Sequence, residues 1–360
     1  MACQSILRQE TSAAAAHPQQ QVDNDKTVAI RHRFDYLRPM KTLAFILMGI
    51  LLGIVLIFAA ALYFSAPKPP AGLAALDAPF RTMDFSTLPP VGYWTARDKT
   101  KLAYRAYPAA LARQTVILIH GSTASSRSMH ALAEYLRKND MDVYTLDMRG
   151  HGDSGRRGDV DYIGQLEDDL EDFMTQFFRG RKDVALVGFS SGGGFVLRFA
   201  AGSRRELFHR YVVLAPFIRY DHPTTRPDNG RHAQASVLRI VAITLLDGPG
   251  QKYLGHLPVV AFGVPPETAP YLTAAYSYRL WANFGMHRNY SADLKSVTSP
   301  LALLVGAKDE LFYPQKYLSA LAEDQPHAEI RIVPDVGHTT LATDPAGLAA
   351  IAEVLQDKTL

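Results

Sequence analysis

Residues 186–195 read LVGFSSGGGF. An apolar run ends on two serines, and three glycines carry the chain into FVLRFAA (195–201). This is the pattern of a buried strand turning sharply into a helix, with one polar side chain at the apex. Gly188 and Gly192 lie two residues either side of Ser190. The same frame centred on Ser191 puts Phe189 where a small residue is needed, so Ser190 is the candidate apex. Gly-x-Ser-x-Gly fixes only three residues, and its meaning depends on its surroundings.

Those surroundings alternate. TVILIHG (115–121), MDVYTLD (141–147), DVALVGF (183–189), YVVLAPF (211–217), PLALLVGA (300–307) and EIRIVP (329–334) are short, β-branched runs suited to strands buried on both faces. Between them, SMHALAEYLRKN (128–139) and IGQLEDDLEDFMTQFF (163–178) have helical amphipathicity, and AGLAAIAEVLQ (346–356) reads as a closing helix. WTARDKTKLAYRAYP (94–108) reads as an antiparallel hairpin entering the sheet. Such alternation predicts an α/β fold with a mostly parallel central sheet and helices on both faces.

In sheets of this kind ligands bind beyond the carboxyl ends of the strands. Asp309 follows one late strand in LLVGAKDELF, and His338 follows the next in PDVGHTT. A serine hydroxyl needs a base and an acid that orients it, and the chain order Ser190, Asp309, His338 supplies them in sequence. Glu310 adjoins Asp309 but points elsewhere from the same loop, and Asp335 reads as a turn former. An oxyanion requires two converging N–H donors. The amide of Ser191 opens the helix, and that of Ser122 follows His120–Gly121 at the end of the first buried strand, so these two are expected to provide them.

HGSTASS (120–126), DMRGHGDSG (147–155), GFSSGG (188–193), GAKDE (306–310) and DVGH (335–338) together resemble the α/β-hydrolase superfamily over about residues 90–358. RGHGDS (149–154) and RRGDVDYIGQLEDDLEDF (156–173) are closest to its monoacylglycerol lipase, lysophospholipase and serine-aminopeptidase-like group. The resemblance implies an α/β-hydrolase fold with a helical cap insertion. It implies Ser190, Asp309 and His338 as catalytic triad, with Ser122 and Ser191 as oxyanion donors. His120, Asp147, Arg149 and His151 fall to scaffolding turns. One departure is that Thr123 stands where lipases of this group commonly carry the second glycine of His-Gly-x-Gly. Another is that Ser128–Met129 replaces the Arg-Tyr pair expected shortly after.

Residues 43–64, LAFILMGILLGIVLIFAAALYF, carry no charge. At ~1.5 Å per residue, a helix of this length crosses a hydrocarbon core of roughly 30 Å. Ala59 and Ala61 mimic a signal-peptidase site, but the run is longer than a signal h-region and a long polar stretch precedes it. The expected arrangement is a disordered tail over 1–41, an uncleaved transmembrane helix over 42–64 and a linker over 65–89. The hydrolase domain follows over 90–358, with its cap at about 221–298. Lys26, Arg31, Arg33, Arg38 and Lys41 precede the span, against Lys68 and Arg81 after it. That bias keeps the N-terminus cytoplasmic and puts the catalytic domain on the outer, periplasmic side of a bacterial inner membrane. Gly49 and Gly53 form a Gly-x-x-x-Gly pair suited to a weak helix–helix dimer.

The 360 residues are 48% hydrophobic and 20% charged, with net charge +3, and Cys3 is the one cysteine. No basic cluster marks the body for nucleic acid, and neither a disulfide nor a thiolate metal site can form there. No metal or organic cofactor is expected. The connection over residues 218–299 is too long to be a plain one, and the cap it carries, about 221–298, has ASVLRIVAITLL (235–246) as a helix-like run. Its aromatics Tyr271, Tyr276, Tyr278, Trp281, Phe284 and Tyr290 either build a greasy acyl pocket or pack the cap on the core. The expected activity is cleavage of carboxylic esters, with acyl lipids or lysolipids as substrates and the bilayer as a partner. The alternative is a serine aminopeptidase or amidase, with Glu267 available to hold a free amino terminus. Behind both stands a non-catalytic protein that has kept the fold.

Overall fold

The computed structural model describes residues 18–71, 74–227, 232–248, 252–265, 268 and 270–357. Contacts divide the chain after Ala60. Helix α1 runs Pro18–Phe64, and its stretch Pro39–Phe64 contains an 18-residue window with a mean hydropathy of 3.0, long and apolar enough to cross a membrane. The irregular tail expected through residue 41 is corrected from Pro18 onward, where the chain is already helical. Extending an existing helix costs far less than nucleating one, and residues 18–38 contain no glycine and several good helix formers. Residues 1–17 lie outside the described residues.

In the second unit, the expected linker is partly structured. Helix α2, Ala74–Arg81, precedes the hairpin β1 (Gly92–Thr95) and β2 (Lys101–Tyr107). The chain then alternates through β3 (Gln114–Ile119), α3 (His130–Lys138), β4 (Met141–Leu146), α4 (Gln165–Phe177), β5 (Val184–Phe189), α5 (Ser191–Ala201) and β6 (Arg210–Leu214). The cap follows, with β7 (Ala233–Ala235), α6 (Val237–Asp247), β8 (Pro258–Phe262), β9 (Ala275–Ser277), α7 (Tyr278–Asn283) and α8 (Tyr290–Ser296). The chain returns through β10 (Leu301–Gly306), α9 (Pro314–Leu321), β11 (Glu329–Val333) and α10 (Pro345–Gln356).

Eight strands form one sheet in the order β1-β2-β4-β3-β5-β6-β10-β11. The β1–β2 and β2–β4 pairs are antiparallel, and from β4 to β11 every neighbouring pair is parallel. Every residue of β5 and β10 is buried, as continuous apolar runs covered on both faces require. Helix α5 is buried from Ser191 to Ala200, and its one charged residue, Arg198, donates to the carbonyl of Ala282 at 2.6 Å. A charge at this depth persists only with such a partner. The cap contains a small antiparallel sheet, β7-β8-β9, beside its helices. Strands of three to five residues are too short to print a periodicity, so the sequence shows the helix and hides the sheet.

The parallel strands all deliver their carboxyl ends to one edge. The loops after β3, β5, β10 and β11 therefore meet there.

Candidate active site

Ser190 stands between β5 and α5 with φ +55° and ψ −118°, a conformation L residues rarely adopt. The structure holds it by close backbone approach. Its N–H donates to the carbonyl of Leu214 at 2.8 Å, and its own carbonyl accepts from Phe217 at 2.9 Å. A Cβ on Gly192 would run into the backbone carbonyls of His120 and Ile119, and one on Gly188 into that of Gly192. The small residues of LVGFSSGGGF are therefore a packing requirement of the turn.

Ser190 Oγ lies 3.1 Å from Nε2 of His338, and His338 Nδ1 lies 2.8 Å from Oδ2 of Asp309. All three are buried. Asp309 Oδ1 accepts from the amides of Leu311 and Phe312, both at 2.8 Å, so the carboxylate is fully engaged and cannot swing. Glu310 does turn elsewhere, because its Oε2 accepts the backbone N–H of His338 at 2.7 Å and pins the loop that presents the imidazole. Asp335 takes a left-handed turn conformation, φ +62°, and pairs on the surface with Lys308 at 2.9 Å.

Ser122 and Ser191 also come together, their hydroxyls joined by a short hydrogen bond. Neither backbone amide has a hydrogen-bond partner among the described residues, and Ser191 is the first residue of α5. Two free N–H groups beside the serine hydroxyl, one at a helix N-terminus, are the electrostatic arrangement an oxyanion needs.

The turns beneath are stitched by the residues assigned to scaffolding. Asp147 accepts from the amide of Ser126 at 2.7 Å and that of Asp153 at 2.8 Å, tying the loop after β3 to the loop after β4. Arg149 holds Asp169 through two bonds of 2.8 and 2.7 Å. His120 accepts from the Met148 amide at 3.2 Å and donates from Nδ1 to Gly121. Burial holds both His120 and His151 below the ordinary imidazole range, so they are neutral parts of the frame.

Thr123 sits at φ +64°, in the region where glycine is favoured. In this chain the cap offsets the strain. Thr123 N–H donates to the Tyr276 hydroxyl at 2.8 Å, and its carbonyl accepts from Thr273 N at 2.8 Å. Tyr276, Tyr278 and Phe284 are buried packing residues, and of the six cap aromatics only Tyr271 is among the described residues that line the cavity.

That cavity, about 260 Å³, reaches Ser190 and His338. Its described walls include Phe189, Leu272 and Leu311, with Leu76, Phe80 and Phe85 from the segment expected to be a linker. No aspartate or glutamate is among its described lining residues, whereas Arg81 and Arg127 are. Sequence reading missed this contribution, although Leu76 and Phe80 stand four apart, as one face of a short helix requires. It also missed His232, which lines the cavity and which burial depresses to about 4. Glu267 lies outside the described residues. Among the described residues no group of His, Cys, Asp or Glu is placed to hold a metal ion.

Sheet order, crossover cap and the serine turn define an α/β-hydrolase. Within that class, residues 110–345 match the family described as "Serine aminopeptidase, S33", and the chain belongs to that family. A monoacylglycerol lipase of Mycolicibacterium smegmatis is 35% identical over 225 residues, which cover 55% of this chain and 71% of that one. An uncharacterized protein of Escherichia coli, YnbC, is 24% identical over 74% of this chain, and the match spans 46% of that relative's length. Among solved structures, a soluble variant of monoglyceride lipase from Saccharomyces cerevisiae shares the fold with a TM-score of 0.58. That likeness has 19% identity and covers 76% of this chain and 97% of the other.

Proposed function

We propose that this chain is a membrane-anchored serine ester hydrolase acting on acyl lipids or lysolipids. The observation that carries the reading is the hydrogen-bonded line from Ser190 through His338 to Asp309, at 3.1 and 2.8 Å, opening into an apolar cavity. Ser190 Oγ attacks the ester carbonyl carbon while His338 Nε2 takes its proton. The amides of Ser122 and Ser191 stabilise the oxyanion. Collapse expels the alcohol, which receives the proton from His338, and leaves an acyl group on Ser190. Water then attacks the acyl-enzyme, giving a proton to His338, which returns it to Ser190 Oγ as the carboxylic acid departs. Asp309, hydrogen-bonded to Nδ1, fixes the tautomer that leaves Nε2 free to accept.

The apolar walls, with Leu76, Phe80, Phe85, Phe189, Leu272 and Leu311, favour an acyl chain over the charged amino terminus that an aminopeptidase must hold. The monoacylglycerol lipase relative points the same way. Two surfaces support a lipid setting. One is the apolar stretch of α1, and the other is the exposed face of α6, with Val237, Leu238, Val241, Leu245 and Leu246. The cation bias before the span supports a catalytic domain on the outer side of the inner membrane. Gly49 and Gly53 are the candidate contact for a weak helix dimer.

The test is hydrolysis of p-nitrophenyl esters from acetyl to palmitoyl, beside aminoacyl anilides, by the full chain in detergent. Ester turnover abolished by Ser190→Ala is the expected result. Anilide turnover without ester turnover would replace the reading with the aminopeptidase. A folded protein that turns over neither substrate and is not labelled by a fluorophosphonate would make it a non-catalytic member of the fold.

A further inference from the structure

The segment between α1 and β1 is fastened to the candidate active site at two points. At its start, the carbonyl of Leu76 accepts the Thr339 hydroxyl at 3.2 Å, one residue beyond His338, and the Leu76 side chain is buried. At its end, the Arg127 guanidinium lies 3.9 Å above the ring of Phe85 and 5.2 Å from that of Tyr271. Phe85 also stacks on His130, with ring centroids 5.8 Å apart. Arg127 thus joins the segment, the loop after β3 and the cap in one stack.

Between the fastenings the apolar side chains are treated differently. Leu76, Phe80 and Phe85 all line the cavity that holds Ser190, but Leu76 is buried whereas Phe80 and Phe85 are only half-buried. A phenylalanine serving the core alone would be covered on all sides. Here both residues border the space a substrate must enter.

We propose that the juxtamembrane segment Ala74–Phe85 is a substrate-selecting wall of the active-site cavity, with Phe80 and Phe85 receiving the aliphatic chain of the acyl group. This rests on the reading of Ser190 as the ester-cleaving nucleophile. An aliphatic chain gains from each methylene it removes from water, so such a wall reads chain length. Shortening its side chains weakens long acyl groups most, and enlarging them penalises long acyl groups by obstruction.

The experiment compares the full chain in detergent with Phe80→Ala and Phe80→Trp on p-nitrophenyl esters from butyrate to palmitate. Thermal melts and the rate of labelling by a small fluorophosphonate report the integrity of fold and nucleophile. For Phe80→Ala the proposal expects kcat/KM to fall about tenfold on laurate to palmitate, with a loss of at most about twofold on butyrate. For Phe80→Trp it expects the preferred chain to shorten by two carbons or more. An equal loss at every length in both variants would overturn it, because the segment would then act by steadying the His338 loop. An unchanged length profile would overturn it too. Failure of the underlying reading looks different, since the unsubstituted protein would then cleave no ester and escape labelling at Ser190.

Discussion

The Thr123 amide donates to the Tyr276 hydroxyl across 2.8 Å, and that hydroxyl meets Nε2 of His151 at 2.6 Å. One cap side chain therefore holds both the strained turn after β3 and a buried neutral imidazole. The hydroxyl donates to the ring nitrogen and accepts from the amide, so both of its capacities are used. Burial also pushes the Tyr276 phenol above its usual range, which keeps the donor proton in place.

Tyr276→Phe removes the acceptor for Thr123 and the donor for His151 while keeping the ring. The expected cost is about 1–3 kcal/mol of stability, because two buried polar groups lose their partner. Ester turnover should fall with it, since Ser122 adjoins the released turn. Denaturant melts with matched kinetics check this. A stable variant with normal turnover would show that the cap does not hold the oxyanion loop.

Asp309 and Glu310 are neighbours with unlike tasks, and amide substitution should separate them. Asp309→Asn disturbs the imidazole tautomer and should lower kcat by about 10⁴-fold. Glu310→Gln touches only the backbone N–H of His338, and one such bond corresponds to about tenfold at most. Comparable losses in the two variants would show that the acid has been misassigned.

The glycines of the serine turn should not be interchangeable with glycines elsewhere. Gly192→Ala drives a methyl into two backbone carbonyls and should cost about 3 kcal/mol or prevent folding. Gly285→Ala meets nothing within 4 Å and should stay within about 0.5 kcal/mol. Urea midpoints of the two variants give the comparison directly.

Acid should destabilise the domain through its buried imidazoles, against which Asp169, raised by burial to about 6, works in the same pH range. Burial lowers His120 and His151 in the folded state and brings His222 and His232 to about 4. As pH falls through the ordinary imidazole value, the unfolded chain takes up protons that the folded chain refuses, and the balance shifts toward unfolding. The loss should therefore begin near pH 6.5 and deepen toward 4, below which His222 and His232 also protonate in the fold. For the buried His222 the shift corresponds to on the order of 3 kcal/mol. Melting temperature followed from pH 8 to 4 tests this, and a rise toward pH 5 would contradict it.

Legibility in the sequence followed the range of the interaction. The serine turn could be read because its strand, glycines and helix are consecutive, and Asp309 and His338 because a parallel sheet delivers strand ends to one edge. The double role of Tyr276 could not, because its partners Thr123 and His151 are more than a hundred residues away in the chain. The sheet within the cap escaped for want of length. The wall formed by α2 escaped for another reason: a short segment following a membrane-spanning run reads as a linker, and only the fold reveals that Leu76 has somewhere to go.

Taken with the proposed anchoring, that proposed wall has a consequence for release from the bilayer. The stalk between α1 and β1 would then also be a side of the cavity that holds Ser190. A cut beyond Phe85 would shed a fragment that keeps the sheet and the Ser190 line but lies open where Phe80 and Phe85 had stood. Solubilisation by shedding and relaxation of chain selectivity would then be a single event, and a soluble form with unaltered preference must be cleaved before Ala74.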